Sequence, residues 1–156
     1  MDATERAELI RTYEGGAAGF IDALAGITDA ELDARPGPDE WTSREIVHHL
    51  ADSEMRAAIR LRQLIAEEAP VIQGYDEKAY TRVLHYDRPI ESSLDAAVAA
   101  RRASADLLGK LTEAEWSRSG THTESGPYSV EDWLTIYAAH AHDHADQIRR
   151  ARSSLP

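Results

Sequence analysis

Cysteine is absent from the 156 residues. Its absence removes disulfides, thiolate metal ligands and a cysteine nucleophile from consideration. Long apolar runs are missing too: nothing approaches the roughly 20 residues that span a bilayer. Basic residues are scarce, with 17 Lys and Arg against 28 Asp and Glu and a net charge of −11. A fold wrapped in negative potential repels phosphate backbones, and no basic stripe overrides that field. "RRARS" near the C-terminus is too short to do so, and basic residues there also complement a helix end. Nucleic acid and membrane are therefore not expected as partners. The opening "MDATERAELI" is charged from its second residue and lacks the apolar core of a signal peptide, so a cytoplasmic location is expected.

What is present is the composition of an ordinary globular domain, 42% hydrophobic and 29% charged, with no linker dividing residues 1–156. Helical periodicity dominates. "TDAE" from Thr28, "TSRE" from Thr42 and "TEAE" from Thr112 fit the capping box, in which a hydroxyl pairs with a carboxylate three residues on; "SVED" from Ser129 is a looser version. The pattern predicts long helices over about 3–26, 43–67, 91–110 and 130–152, with short helical turns after Thr28, Tyr75 and Thr112. "EEAPVIQGYDE" reads as a loop broken by Pro70 and Gly74, and "GTHTESGPYS" as room for an extended excursion. A weak repeat links "GITDAELDARPGPDEWTSREI" with "KLTEAEWSRSGTHTESGPYSVED": a capped short helix, a loop, an aromatic and a new cap. Each copy leads into a long helix bearing histidines. The expected fold is all-α, two helix–loop–helix halves forming a four-helix bundle with short extra helices in its connections.

The stretch "YAAHAHDHADQI" places histidines at 140, 142 and 144. At about 100° per residue, His140 and His144 lie about 40° apart on a helix, while His142 points about 160° from each. The inward stripe is marked by Val130, Leu134, Tyr137, Ala141 and Ile148. His144 falls inside it, His140 near its edge, and His142 faces out. The i, i+4 pair can grip one ion, yet taken alone it is a weak signal, because a buried hydrogen-bonded pair has the same spacing.

A second cluster changes the balance. In "TSREIVHHLADSEMRAAIRL" the inward stripe runs through Ile46, Leu50, Ala57, Leu61 and Leu64. His49 sits at the flank of that stripe, where it reaches a neighbouring helix, whereas His48 points nearly opposite and reads as a solvated surface residue. His49, His140 and His144 are thus the candidate ligands of one divalent metal. Three neutral imidazoles suit Zn²⁺, Ni²⁺, Fe²⁺ or Cu²⁺ and leave a coordination position open, the mark of a catalytic rather than a structural site. His85 and His122 lie in predicted loops and are not assigned to the site. Trp41 and Trp133 read as staples anchoring loops to the bundle, Asp52 and Gln147 as solvated residues within reach of orienting an imidazole, and Arg101 and Arg102 as solvated.

"EWTSREIVHHLADSE" followed by "HAHDHADQI" resembles the DinB/YfiT-like superfamily of small metal-binding four-helix bundles, and "APVIQGYDEKAYTRVLHYD" resembles its YfiT branch. The family pattern, a histidine just before leucine in the second helix and His-x-x-x-His in the last, falls on His49, His140 and His144. The resemblance implies a divalent metal, zinc or nickel foremost, and a homodimer. It implies either a small-thiol S-transferase, using a thiol such as bacillithiol or mycothiol against an electrophilic substrate, or a metal-dependent hydrolase; a non-catalytic metal-binding stress-related bundle is the third reading. With no cysteine in the chain, any thiol must arrive as a cosubstrate. Both chemistries need the same three ligands, and no residue beyond them is assigned a catalytic role.

Overall fold

The computed structural model describes residues 1–154. Four long helices carry the architecture: α1 (Ala3–Leu24), α3 (Ser43–Ala66), α5 (Glu91–Leu108) and α7 (Val130–Arg152). Three short ones, α2 (Asp29–Leu32), α4 (Glu77–Val83) and α6 (Glu113–Trp116), sit in the connections where helical turns were expected. The helix starts follow their caps. Thr28, Thr42, Thr112 and Ser129 each form the reciprocal capping box, and Asp2 with Glu5 forms a fifth that opens α1. In each box the side chains satisfy backbone N–H groups that the first turn leaves without intrahelical partners. α7 matches its predicted bounds, and α1, α3 and α5 end one or two residues earlier than expected.

Packing sets an uncommon order around the bundle. α1 lies mainly against α7 and also against α5, while α3 lies against both α5 and α7. Going round the bundle, the order is therefore α1, α7, α3, α5. The two connections from α1 to α3 and from α5 to α7 cross diagonals of the bundle, and they are the two copies of the sequence repeat. A diagonal crossing needs a long connection, which explains why both copies hold a capped short helix.

The second crossover also supplies two strands of a small sheet, the one departure from helix and loop among the described residues. β2 (Ser119–His122) and β3 (Gly126–Ser129) make an antiparallel hairpin in the expected extended segment, with Thr121 opposite Pro127. β1 (Val71–Ile72), within the predicted loop, pairs parallel to β2 with Val71 opposite Thr121. Gly126 turns the hairpin at φ +82°, a conformation that costs glycine little. At Gly120 a side chain would lie 2.3 Å from the Pro70 carbonyl, so only glycine admits that close approach of the two segments. Among the described residues, no helix is long and apolar enough to cross a membrane.

Candidate metal centre

α3 and α7 face each other, and their contact carries the three histidines. His49 is 2% exposed, His144 7%, and the His140 side chain 20%. One nitrogen from each lies within 4.8 Å of the others, and among the described residues this is the one cluster of potential ligands with that geometry. The rings meet edge to face: centroids are 4.5 Å apart for His140–His144, 4.7 Å for His49–His144 and 5.5 Å for His49–His140. The one-turn spacing on α7 brings His140 Nε2 within 3.2 Å of His144 Nε2.

Electrostatics keeps His49 and His144 neutral. Burial pushes His49 down to about 2, helped by repulsion from His144 and His140. Burial also lowers His144 to about 4, with His140 adding to the effect. A neutral imidazole presents a lone pair, the form that ligates a metal. His144 Nδ1 lies 2.8 Å from Gln147 Oε1, so its proton sits on Nδ1 and its Nε2 lone pair is free to point at the cluster centre. Gln147, expected at the solvated helix surface, instead fixes the tautomer of a candidate ligand.

The residues fit a divalent cation on their own chemistry. With His144 Nε2 an acceptor, His140 has two choices. It can protonate Nε2 and leave its buried Nδ1 bare, or protonate Nδ1 and set two lone pairs 3.2 Å apart. His140 Nδ1 is buried and has no hydrogen-bond partner. A divalent cation held by these histidines would remove the conflict, because facing lone pairs would then serve as ligands.

Several expectations need correction. His48 is fully buried rather than solvated: its Nε2 donates to the Arg88 carbonyl at 3.1 Å and its Nδ1 accepts from the Ser93 hydroxyl at 2.8 Å. The single-stripe picture fails because the first turns of α3 are enclosed on several sides, so Ile46 through Ala51 are all buried. Arg101 is 1% exposed, not solvated, and pairs with the fully buried Glu54. Its guanidinium also donates to the carbonyls of Tyr13 at 2.8 Å and Tyr137 at 3.0 Å. Gly16 leaves the space for it, since a side chain there would lie 2.6 Å from Arg101 Nη2. Arg102 is exposed as expected.

His142 points away from the cluster but is held against α1, with Nε2 donating to the Thr12 carbonyl at 2.9 Å. Asp52 orients no imidazole; it accepts from the Tyr86 hydroxyl at 2.7 Å. Trp133 is a fully buried anchor donating to the Ala57 carbonyl at 2.9 Å. Trp41 is more than a staple: its ring lies 4.5 Å from that of His49 and 6.2 Å from that of His144, walling one side of the cluster. The strongest missed signal was Glu54, a carboxylate on the inward stripe between Leu50 and Ala57.

Comparison with known proteins now bears on this geometry. The model of the DinB superfamily matches residues 12–148. The chain belongs to the DinB superfamily. A relative from Oceanobacillus iheyensis is 39% identical over 122 residues, covering 78% of this chain and 71% of that protein. YfiT of Bacillus subtilis is 33% identical over 141 residues, covering 89% of this chain and 79% of its own. Both carry the provisional name of metal-dependent hydrolase. The solved YfiT structure, described as an unusual four-helix bundle, superposes with a TM-score of 0.89 over 97% of this chain and 87% of YfiT, at 29% identity. The diagonal connections described above give such a topology a concrete form.

Proposed function

We propose that this chain is a metal-dependent enzyme whose ligands are His49, His140 and His144, and that it catalyses attack of a low-molecular-weight thiol on an electrophilic substrate. The observation that carries the reading is the convergence of three largely buried imidazoles from two facing helices, one of them already held in the ligating tautomer by Gln147. A bound divalent cation, zinc or nickel foremost, would lower the pKa of a small thiol or of water toward neutrality.

The chain's own residues decide what else happens there. His49, His140 and His144 would hold the cation, and three protein ligands would leave a position for an incoming small molecule. Trp41 packs on two of the three rings and excludes water from that flank. Among the described residues no carboxylate joins the ligand cluster, and Glu54, the nearest, is committed to Arg101. A thiol needs no protein base once its pKa is lowered, which favours thiol transfer. Hydrolysis is the second reading, favoured by the names of the relatives. Homodimerisation belongs to the proposal too, and so does a small-molecule rather than nucleic-acid partner, on the net charge of −11.

The test incubates metal-loaded protein with a panel of cellular thiols and a chromogenic halide or epoxide, beside a panel of esters and amides. Acceleration that depends on the thiol offered and disappears in His49→Ala supports thiol transfer. Thiol-independent cleavage in the second panel alone would replace it with hydrolysis.

A further inference from the structure

We infer that Glu54 is a positioning residue of the three-histidine site: held by Arg101, its carboxylate accepts a hydrogen bond from His140 Nδ1–H and so aims His140 Nε2 at the shared cation. The inference rests on the metal-site reading above.

Each ligand on α7 needs an acceptor behind it. For His144 that acceptor is Gln147, 2.8 Å from Nδ1. For His140 the corresponding nitrogen is buried and without a partner, and the carboxylate oxygen facing it is Glu54 Oε1 at 3.9 Å. That is about 1 Å beyond a hydrogen bond, a gap that a modest turn of the ring closes. Hydrogen bonds of this kind commonly tighten only when the site is loaded. Protonating Nδ1 toward Glu54 is also the choice that frees Nε2, which faces His144 Nε2.

Glu54 is built to stay in place. It is fully buried and ion-paired to Arg101, and Tyr13 Oη lies 3.3 Å from its other oxygen. Arg101 is fixed in turn by two backbone carbonyls, on α1 and α7, and by stacking 4.0 Å from the Tyr13 ring. The arrangement is a chain from Arg101 through Glu54 to His140, in which a carboxylate behind a ligand histidine sets its tautomer and raises its basicity. A clamp that only joined helices would have no use for a ligand histidine with an unpaired buried nitrogen beside the carboxylate.

Glu54→Ala alone would leave Arg101 buried and unpaired, a strongly destabilising change. The decisive variant is therefore the double replacement Glu54→Met with Arg101→Met, since apolar residues of similar volume commonly replace a buried ion pair without loss of the fold. Two quantities are measured on wild type and variant. Zinc affinity by competition with a chromogenic chelator should fall 10- to 100-fold in the variant. In the zinc-loaded wild type, the His140 Nδ1 proton should resonate far downfield, as expected of a carboxylate-bound N–H, and should move upfield in the variant. A merely structural pair would move neither. Affinity within about twofold of wild type and an unmoved proton would overturn the inference and leave the metal site standing. Failure of the wild type to bind zinc would overturn the metal reading itself and the inference with it.

Discussion

The two ends of the bundle core are built from different residues. The end next to the hairpin is aromatic: Tyr13, Trp116, Tyr128, Trp133 and Tyr137 pack with Leu61, Leu64 and Leu108. The other end has Phe20 as its one fully buried aromatic, with Trp41 partly buried against it, and is rich in alanine, with Ala23, Ala51, Ala97, Ala141 and Ala145 among Ile46, Leu50 and Ile148. The change happens along a single helix, α7, which carries Trp133, Leu134 and Tyr137 in its first half and alanines alternating with His140 and His144 in its second. Large rings bury the area that holds the fold, whereas in the second half Ala141 packs close to Gly16 of α1 and the imidazoles of His140 and His144 meet His49 of α3. The Arg101–Glu54 pair lies between the two regions. Stability and chemistry are thus assigned to opposite halves of one helix.

The largest expected effect comes from breaking the aromatic half. Trp133→Ala should cost about 3–5 kcal/mol by urea unfolding, through the lost packing, the cavity and the lost indole hydrogen bond. At low temperature the folded fraction should still bind metal at the wild-type ratio, because the residue touches none of the three histidines. Loss of metal binding in protein shown to be folded would mean that the two halves are not separable.

Acid probes the other half. His49 and His144 titrate far below the ordinary histidine value of 6.5 when folded, so below pH 6.5 the unfolded chain binds protons that the folded chain refuses. Stability of the metal-free protein should therefore be insensitive to these groups above pH 6.5 and fall as pH drops from there toward 4, by up to about 1.4 kcal/mol per pH unit for each ring. Replacing both by glutamine should flatten the decline. An unchanged slope would place the acid sensitivity elsewhere.

The smallest effect is expected at His142. Removing its bond to the Thr12 carbonyl should cost about 0.5–1.5 kcal/mol and leave the site untouched, although the residue lies between two candidate ligands in the chain.

Much of this division could be read from the sequence, and the misses fall where packing between distant segments decides. Caps and periodicity located the long helices because both are local, and the angle between residues on one helix separated His142 from His140 and His144. The pairing of β1 with β2 is non-local, so two residues of a predicted loop gave no sign of it. His48 and Arg101 read as solvated, and Glu54 passes unremarked, because each helix is given a single buried stripe of apolar residues, whereas the start of α3 is enclosed on several sides and α5 turns the Arg101 guanidinium into the bundle. The signal was present: Glu54 stands between Leu50 and Ala57, and Arg101 between Ala97 and Leu108, on stripes otherwise free of charge. Two opposite charges at inward positions of different helices predict a buried pair. Trp41 lies in a loop, where periodicity carries no directional information, so its place over the imidazoles could emerge only from the fold.

The most direct test of the three-histidine centre is elemental analysis of purified wild type and four single variants, with folding checked by circular dichroism. The account predicts about one transition metal per chain in the wild type and in His142→Ala, and loss of metal from His49→Ala, His140→Ala and His144→Ala. Metal loss in His142→Ala equal to that in the other three, or a wild type that holds no transition metal after exposure to zinc or nickel, would contradict it.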